Sequence, residues 1–149
     1  MKKIIISFFI ILSIFSLLYF SHRSSPNTNS ITTDKIDITI GQSDKFSDKE
    51  INDAIDCVVS NFSFPACTLT KIWYDEEKSN TVTNAYIACG RGSENGAVPE
   101  NVIVLLSEFY VDDSGDNPVL EADSTYSDYN WILKRDSKTS SWKIDDSGY

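Results

Sequence analysis

The sequence predicts an α+β domain in which one long amphipathic helix packs on a curved antiparallel sheet of four to five strands, behind an N-terminal transmembrane anchor helix. Three observations support this prediction. A capped helical pattern occupies residues 46–62, segments rich in β-branched and aromatic residues follow it, and an apolar run without charged residues precedes it at 4–20. No motif in the chain is a catalytic signature, so the pattern says more about fold and location than about chemistry.

The helix predicted at 46–62 has both of its ends marked. Ser47 and Glu50 have the spacing of a capping box, in which each side chain bonds the backbone amide of the other residue. Pro65 disfavours helical geometry just before it and so ends the helix. Because the chain beyond the helix is predicted to contain only strands, a sheet should cover the apolar face, which consists of Ile51, Ala54, Ile55, Val58, Val59 and Phe62.

Residues 1–23 are predicted to anchor the chain in a membrane. Two lysines precede the apolar run, whose seventeen residues are short for a membrane span and long for a signal-peptide core. Tyr19 and Phe20 stand where signal peptidase needs small residues, which favours an uncleaved anchor over cleavage and secretion. Since Lys2 and Lys3 outweigh the lone Arg23, the C-terminal domain should lie outside the cytoplasm.

A flexible tether is expected at 24–40 and a single extracytoplasmic domain at 41–149. Ser, Thr, Asn and Pro dominate the start of the tether, which has no apolar pattern. Near its end, the alternation in KIDITIGQ at 35–42 fits a short strand about as well as a disordered lead-in. The roughly 125 residues beyond Arg23 are enough for one hydrophobic core but not for two.

Acidic residues dominate the predicted domain and tether. Beyond Arg23 the chain has 10 Lys and Arg against 22 Asp and Glu, a net charge of −12. Such a surface repels phosphate backbones, so nucleic acid is not an expected partner. Basic partners, cations and simple solubility are each compatible with this charge.

Three cysteines allow at most one internal disulfide. Cys57 lies on the flank of the predicted helix and Cys67 just past its end, so a bridge between them is sterically reasonable. Cys89 could equally be the partner, or a buried thiol. No metal or other cofactor is predicted, because His22 is the only histidine and the cysteine spacing fits no zinc motif.

The chain beyond Cys67 changes to the shorter period of strands, separated by polar and glycine-rich turns. The strands at 69–74 and 81–89 should form an antiparallel hairpin. In the last hairpin, formed by 129–135 and 141–145, four side chains should pack inward: Trp131, Leu133, Trp142 and Ile144. In order, the predicted elements are strand 69–74, turn 75–80, strand 81–89, loop 90–100, central strand 101–111, acidic loop 112–126, and strands 129–135 and 141–145.

The C-terminal half also carries a resemblance to a known family. Its segments NVIVLLSEFYVDDSG, STYSDYNWILKRD and SWKIDDSGY are similar to an uncharacterised family of small membrane-anchored or secreted proteins of low-GC Gram-positive bacteria. The resemblance covers 41–149 and implies an NTF2-like or cystatin-like fold at the bacterial surface, with no assigned activity and no catalytic residues to transfer. Asp145-Asp146-Ser147 departs from the aromatic residue expected before Gly148-Tyr149.

The acidic loop is the first candidate site. Its D-x-S-x-D-N start at Asp112, with Asp123 at the twelfth position, imitates a calcium-binding EF-hand loop. It lacks the glycine at position six, the final Glu and the flanking helices, so a solvated connection is the favoured interpretation and weak calcium binding the alternative. The glycines of GRGSENG at 90–96 lack the Lys-Ser/Thr and the following helix of a phosphate-binding loop.

An enzyme on this fold would need an acid or base in a pocket between helix and sheet. Without a histidine beyond His22, a Ser/His or Cys/His nucleophile is excluded in the domain. The residues nearest inward strand positions are Asp75, Glu108, Tyr110 and Asp128, for which ordinary surface roles are commoner. Aromatic residues could line a binding face, although core packing is the simpler role for most of them: Trp73, Tyr74, Tyr86, Tyr126, Tyr129, Trp131 and Trp142.

These observations favour a membrane-anchored, extracytoplasmic, non-catalytic binding or interaction domain that meets a protein or cell-wall partner close to the membrane. The alternative is an NTF2-like small-ligand-binding protein or enzyme that uses a pocket carboxylate, and a weaker option is an assembly part of a larger membrane complex. Aromatic side chains that fill the concave face of the sheet would favour the first function, and an open polar cleft the second.

Overall fold

The computed structural model describes residues 36–149, in which three helices accompany one five-stranded mixed sheet of order β1-β2-β3-β4-β5. The predicted anchor and most of the predicted tether lie outside the described residues. None of the helices within 36–149 is long and apolar enough to span a membrane. The elements are β1 Asp37–Ile40, α1 Asp48–Asn61, β2 Cys67–Tyr74, α2 Glu76–Cys89, α3 Arg91–Glu94, a 3-10 turn Pro99–Asn101, β3 Val102–Val111, β4 Ser124–Lys134 and β5 Lys143–Gly148.

Helix α1 is the predicted helix, and its capping box is present. The Ser47 hydroxyl accepts from the Glu50 amide at 3.3 Å, and the Glu50 carboxylate accepts from the Ser47 amide at 2.9 Å. The cap satisfies amides that have no partner inside the helix. The α+β class is therefore confirmed, with α1 as its best-specified element.

The apolar face of α1 packs on one face of the sheet and forms the main core. Trp131 of β4 and Trp142, just before β5, are buried there as predicted, at 4% and 7% exposure. Each large side chain removed from water contributes about 1.5–3 kcal/mol, so this face accounts for much of the stability. The other buried members of the core are Phe46, Ile51, Ala54, Ile55, Val58, Ile72, Tyr74, Ile103, Leu105 and Leu133.

The predicted strand at 81–89 is wrong, because Glu76–Cys89 form helix α2. The Asp75 carboxylate caps this helix by accepting from the Lys78 amide at 2.9 Å, and two glutamates occupy its first turn. Its buried residues are Ser79, Thr83 and Tyr86, and the Ser79 hydroxyl accepts from the Val104 amide at 3.1 Å. Contact with the sheet therefore outweighs the β-propensity of TVTNAYI.

The prediction of a wholly antiparallel sheet is also wrong, because β1 and β2 run parallel, with Asp37 opposite Lys71 and Ile40 opposite Tyr74. The chain passes through α1 between these two strands, which is the crossover that parallel neighbours require. Of the two interpretations of 35–42, the strand is the one present. The remaining neighbours are antiparallel, β4 begins at Ser124, and the acidic loop therefore occupies 112–123.

Arg135, which follows β4, is the buried charge that joins α1 to the sheet. Its guanidinium lies 2.8 Å from the Glu50 carboxylate, with side-chain exposures of 2% and 28%. The guanidinium also stacks 4.3 Å from the Trp142 ring and donates to the Glu100 carbonyl at 3.2 Å. The hydrogen bond from the Ser47 amide, with those from Ser47 Oγ and Arg135, lowers the pKa of Glu50 to about 2.

Replacing Glu50 by Gln removes the charge that faces Arg135 but keeps an acceptor for the Ser47 amide. Because a buried guanidinium then lacks its counterion, we expect E50Q to lower the free energy of unfolding by about 2–4 kcal/mol. Urea unfolding followed by tryptophan fluorescence measures the change. D53N is the matched control, since the Asp53–Lys49 pair on the same helix is exposed and its loss should cost less than about 0.5 kcal/mol. Equal effects would contradict the role given to Arg135.

The low pKa of Glu50 also predicts a pH dependence. In the unfolded chain Glu50 has its ordinary pKa of 4.5 and binds a proton as the pH falls below that value. In the folded chain Glu50 does not bind this proton until the pH is about 2. The stabilisation is therefore complete above pH 4.5 and is lost as pH falls toward 2. We expect the stability difference between wild type and E50Q to be constant near neutrality and to shrink over that window. A difference that stays constant down to pH 2 would show that Glu50 has an ordinary pKa.

Candidate binding site

An apolar cleft of about 310 Å³ opens at the end of the sheet where β3, β4 and the turn after α1 meet the acidic loop. We call it the aromatic cleft. Of the side chains that line it, nine are hydrophobic and one, Asn117, is polar. The full lining is Phe64, Pro65, Phe109, Asn117, Pro118, Val119, Leu120, Tyr126, Tyr129 and Tyr149.

Aromatic rings in edge and stacked contact build the walls of the cleft. Phe109 and Tyr126 stack at 5.5 Å with planes only 9° apart, and Phe64 meets Tyr129 edge-on at 5.6 Å. Tyr129 in turn meets Tyr149 edge-on at 5.3 Å. Such pairs contribute about 0.5–1.5 kcal/mol each beyond burial, so the walls are held in place without a ligand.

The acidic loop supplies the outer wall, and Asn117 fastens it there. The Asn117 side chain donates to the Pro65 carbonyl at 2.9 Å and accepts from the Leu120 amide at 2.8 Å. Farther along, the Glu121 amide donates to the Tyr126 hydroxyl at 2.9 Å. These bonds hold residues 118–120 at the edge of the cleft. The side chain of Val119 is nevertheless largely exposed to solvent.

Two side chains at the mouth of the cleft are unusually exposed for their type. Val119 is 84% and Tyr149 is 76% accessible, the highest values among the large hydrophobic residues of the described chain. Single exposed hydrophobic residues are common on protein surfaces. Here both border a preformed apolar cavity, and that combination is typical of a ligand or partner site.

The EF-hand-like spacing of the acidic loop does not bring its carboxylates together. Asp112 accepts from the Ser114 amide at 3.0 Å, and Asp123 accepts from the Tyr110 hydroxyl at 2.5 Å. The hydrogen bond to Asp123 raises the pKa of Tyr110. Across residues 36–149, no group of three or more His, Cys, Asp or Glu side chains is placed to hold a metal ion.

Two of the four predicted acid or base candidates meet at a second opening, which we call the carboxylate cleft. Asp75 and Asp128 line this cavity of about 460 Å³ between α2 and the sheet, together with Lys78. The Lys78 ammonium lies 2.9 Å from the Asp128 carboxylate, whose hydrogen bond and charge raise the pKa of Lys78. Glu108 accepts from the Thr70 and Ser127 hydroxyls, and neither it nor Tyr110 reaches the cleft.

The three cysteines are free thiols in the structure, and the bridge between Cys57 and Cys67 stays a prediction. Cys57 Sγ lies 3.4 Å from the Trp142 carbonyl, in a polar groove of about 810 Å³ beside α1, and burial raises the pKa of its thiol. Cys67 Sγ lies 3.2 Å from the Pro65 carbonyl. Cys89 is exposed at the end of α2, rather than buried.

Asp145, where the sequence departs from the resemblance, forms an unforeseen polar contact. It is the extra residue of a bulge in β5, and its carboxylate, 11% exposed, lies 2.6 Å from the Lys134 ammonium. The Tyr86 hydroxyl donates to it at 2.5 Å. Burial alone would raise the pKa of Asp145, but the bonds from Lys134 and Tyr86 lower it overall. The contact ties α2 to β5 and could not be foreseen while 81–89 was interpreted as a strand.

Sequence reasoning found Tyr126 and Tyr129 of the aromatic cleft but missed Phe64 and Tyr149. It also missed the segment Pro118-Val119-Leu120. A usable signal was present, because these three apolar residues interrupt a loop that is otherwise acidic and polar. An apolar triplet in a loop that should be solvated indicates contact with another surface.

The family model described as Domain of unknown function (DUF4829) matches residues 47–148. That span runs from the cap of α1 to the end of β5 and includes every lining residue of the aromatic cleft except Tyr149. No curated protein and no solved structure matches the chain.

Proposed function

The chain belongs to the DUF4829 family, and we propose that it is an extracytoplasmic, non-catalytic binding domain whose aromatic cleft takes an apolar side chain of a protein partner. Residues 1–23 would hold it at the membrane. The main support for this proposal is the preformed cleft at the end of the sheet, which has nine hydrophobic lining residues and two exposed hydrophobic side chains at its mouth. Apolar cavities with few polar groups are typical of binding sites.

The packing beneath α1 supports binding over catalysis. Trp131 and Trp142 are buried on the face of the sheet that α1 covers, and Phe62 packs against Trp131 at 6.1 Å. The space between α1 and the sheet, where the alternative function would need a pocket carboxylate, is thus packed with aromatic side chains. We propose that the architecture itself is NTF2-like or cystatin-like, since a long helix covers one face of the sheet.

The alternative, a small-ligand protein or enzyme with a pocket carboxylate, would use the carboxylate cleft. Its two aspartates already have structural partners, because Asp75 caps α2 and Asp128 pairs with Lys78. An acid or base committed to a cap or an ion pair is a weaker candidate for proton transfer. The aromatic cleft is therefore the better-supported site.

The predicted anchor suits this function. The twelve residues 24–35 can span at most about 40 Å, so an anchor at residues 1–23 would hold the domain close to the membrane.

Binding at the cleft can be tested with N-acetyl-phenylalanine amide as the probe. The full chain, carrying 3-fluorotyrosine and held in phosphatidylcholine nanodiscs, is followed by fluorine NMR. We expect saturable shifts at Tyr126, Tyr129 and Tyr149 with a dissociation constant of about 1 mM, the range for a ligand of this size. Tyr86 and Tyr110, which lie outside the cleft, are internal controls. Equal shifts at all tyrosines, or none at the three cleft tyrosines, would reject the proposed site.

Membrane anchoring has its own test. Because no small-residue cleavage site follows the apolar run, the chain should stay at full mass with membranes washed in carbonate. A protease added to intact cells or spheroplasts should then degrade the domain, since it is expected outside the cytoplasm. A variant without residues 1–23 is the control for non-specific attachment. A soluble form that lacks the first twenty or so residues would instead indicate a cleaved signal.

A further inference from the structure

We propose that the partner segment that occupies the aromatic cleft is basic, with an apolar or aromatic side chain flanked by Lys or Arg. This inference rests on the proposed function and adds the chemistry of the ligand. It follows from the distribution of charge around the cleft, which is one-sided even for an acidic protein.

The segment of the chain that forms two walls of the cleft contains acidic residues and no basic ones. Between Arg91 and Lys134, 42 consecutive residues include nine Asp and Glu and no Lys or Arg. They run from α3 through the 3-10 turn, β3 and the acidic loop to the penultimate residue of β4. The nine acids are Glu94, Glu100, Glu108, Asp112, Asp113, Asp116, Glu121, Asp123 and Asp128.

The acids beside the cleft also lack counterions. Asp116 and Glu121 directly flank the lining segment 117–120, are exposed, and make no ion pair within residues 36–149. Among residues 36–149, Asp128 is the only one of the nine acids that makes an ion pair, with Lys78. Five bases of the described chain pair with acids outside this stretch, among them Arg135 with Glu50 and Lys134 with Asp145. Within residues 36–149, Asp116 and Glu121 thus have no basic partner, and a basic segment bound at the cleft would supply one.

The interior of the cleft selects for an apolar group, while its aromatic faces tolerate a neighbouring cation. No Lys or Arg is among its lining residues. The faces of Tyr126, Tyr129 and Tyr149 carry negative quadrupole charge and attract ammonium and guanidinium groups. A segment with an apolar side chain between basic residues satisfies both the cavity and the charges beside it.

A second copy of this chain is a poor occupant by the same reasoning. Two domains that met through this face would bring two unpaired acidic loops together, and like charges across an interface reduce affinity. Nucleic acid and anionic lipid are disfavoured for the same reason. The exposed apolar surface is therefore better matched by a basic protein segment than by self-association.

Three hexapeptide probes separate the contributions of charge and apolar contact: KKFLKK, EEFLEE and KKSSKK. Each is titrated calorimetrically into the full chain in phosphatidylcholine nanodiscs, with empty nanodiscs as the blank. We expect KKFLKK to bind saturably and about tenfold or more tighter than EEFLEE, given four unlike rather than four like charges. KKSSKK should show no saturable binding, and salt at about 0.3 M should weaken KKFLKK binding.

Surface variants locate the binding without disturbing the fold. V119S and Y149A should each weaken KKFLKK about three- to tenfold, as expected for loss of an apolar contact. V98S is the matched control, because Val98 is 46% exposed but does not line the cleft. The pair D116N and E121Q should weaken KKFLKK and strengthen EEFLEE, whereas the same loss of charge at D53N and E94Q should change both less.

Four results would overturn the inference. Equal affinity for KKFLKK and EEFLEE, both sensitive to V119S, would remove the preference for bases but leave the proposed function intact. Equal affinity for KKFLKK and KKSSKK would show attraction to surface charge alone. Absence of KKFLKK binding would reject the basic segment, and the fluorine NMR titration then decides whether the cleft binds apolar groups at all. Concentration-dependent self-association abolished by V119S would assign the face to a second copy of the chain.

Discussion

The ion pair between Glu50 and Arg135 is the interaction on which the arrangement of helix and sheet depends. One carboxylate oxygen closes the cap of α1 and the other meets a guanidinium that is almost fully buried at the end of β4. A buried guanidinium is tolerated only with a counterion and filled hydrogen bonds. Glu50 therefore both caps the start of α1 and fixes the position of α1 on the sheet. The Trp142 ring stacks against the Arg135 guanidinium.

The position of α1 decides where function can reside. Because the apolar face of α1, Trp131 and Trp142 pack together on one face of the sheet, that face is occupied by the side chains of the main core. The aromatic packing continues past the last turn of the helix, from Trp131 through Phe64 and Tyr129 to Tyr149. Toward that end the rings pass gradually from core to surface. The aromatic cleft is thus the solvent-exposed continuation of the hydrophobic core, fastened by Asn117 of the acidic loop.

The two errors in the predicted fold have physical causes. In TVTNAYI, alternating β-formers suggested a strand, but the cap at Asp75 and the burial of Ser79, Thr83 and Tyr86 favour a helix. Propensity is a weak guide where tertiary contact determines the outcome. The parallel pairing of β1 with β2 could not be predicted either. A four-residue edge strand has the same alternation of apolar and polar residues whether it pairs parallel or antiparallel with its neighbour. What changes is the path of the chain through α1, which a local pattern does not describe.

The sequence by itself determined the elements whose signals are local. These are the capped helix α1, the apolar strands β2 and β3, the inward tryptophans and the strong acidity of the chain. Capping, periodicity and charge depend on residues a few positions apart, so they can be read from the chain directly. Only the tertiary structure decided that Phe64, Val119, Tyr129 and Tyr149 share one cleft. These residues are spread over 85 positions, and their meeting depends on strand register and on the loop held by Asn117, which no spacing encodes.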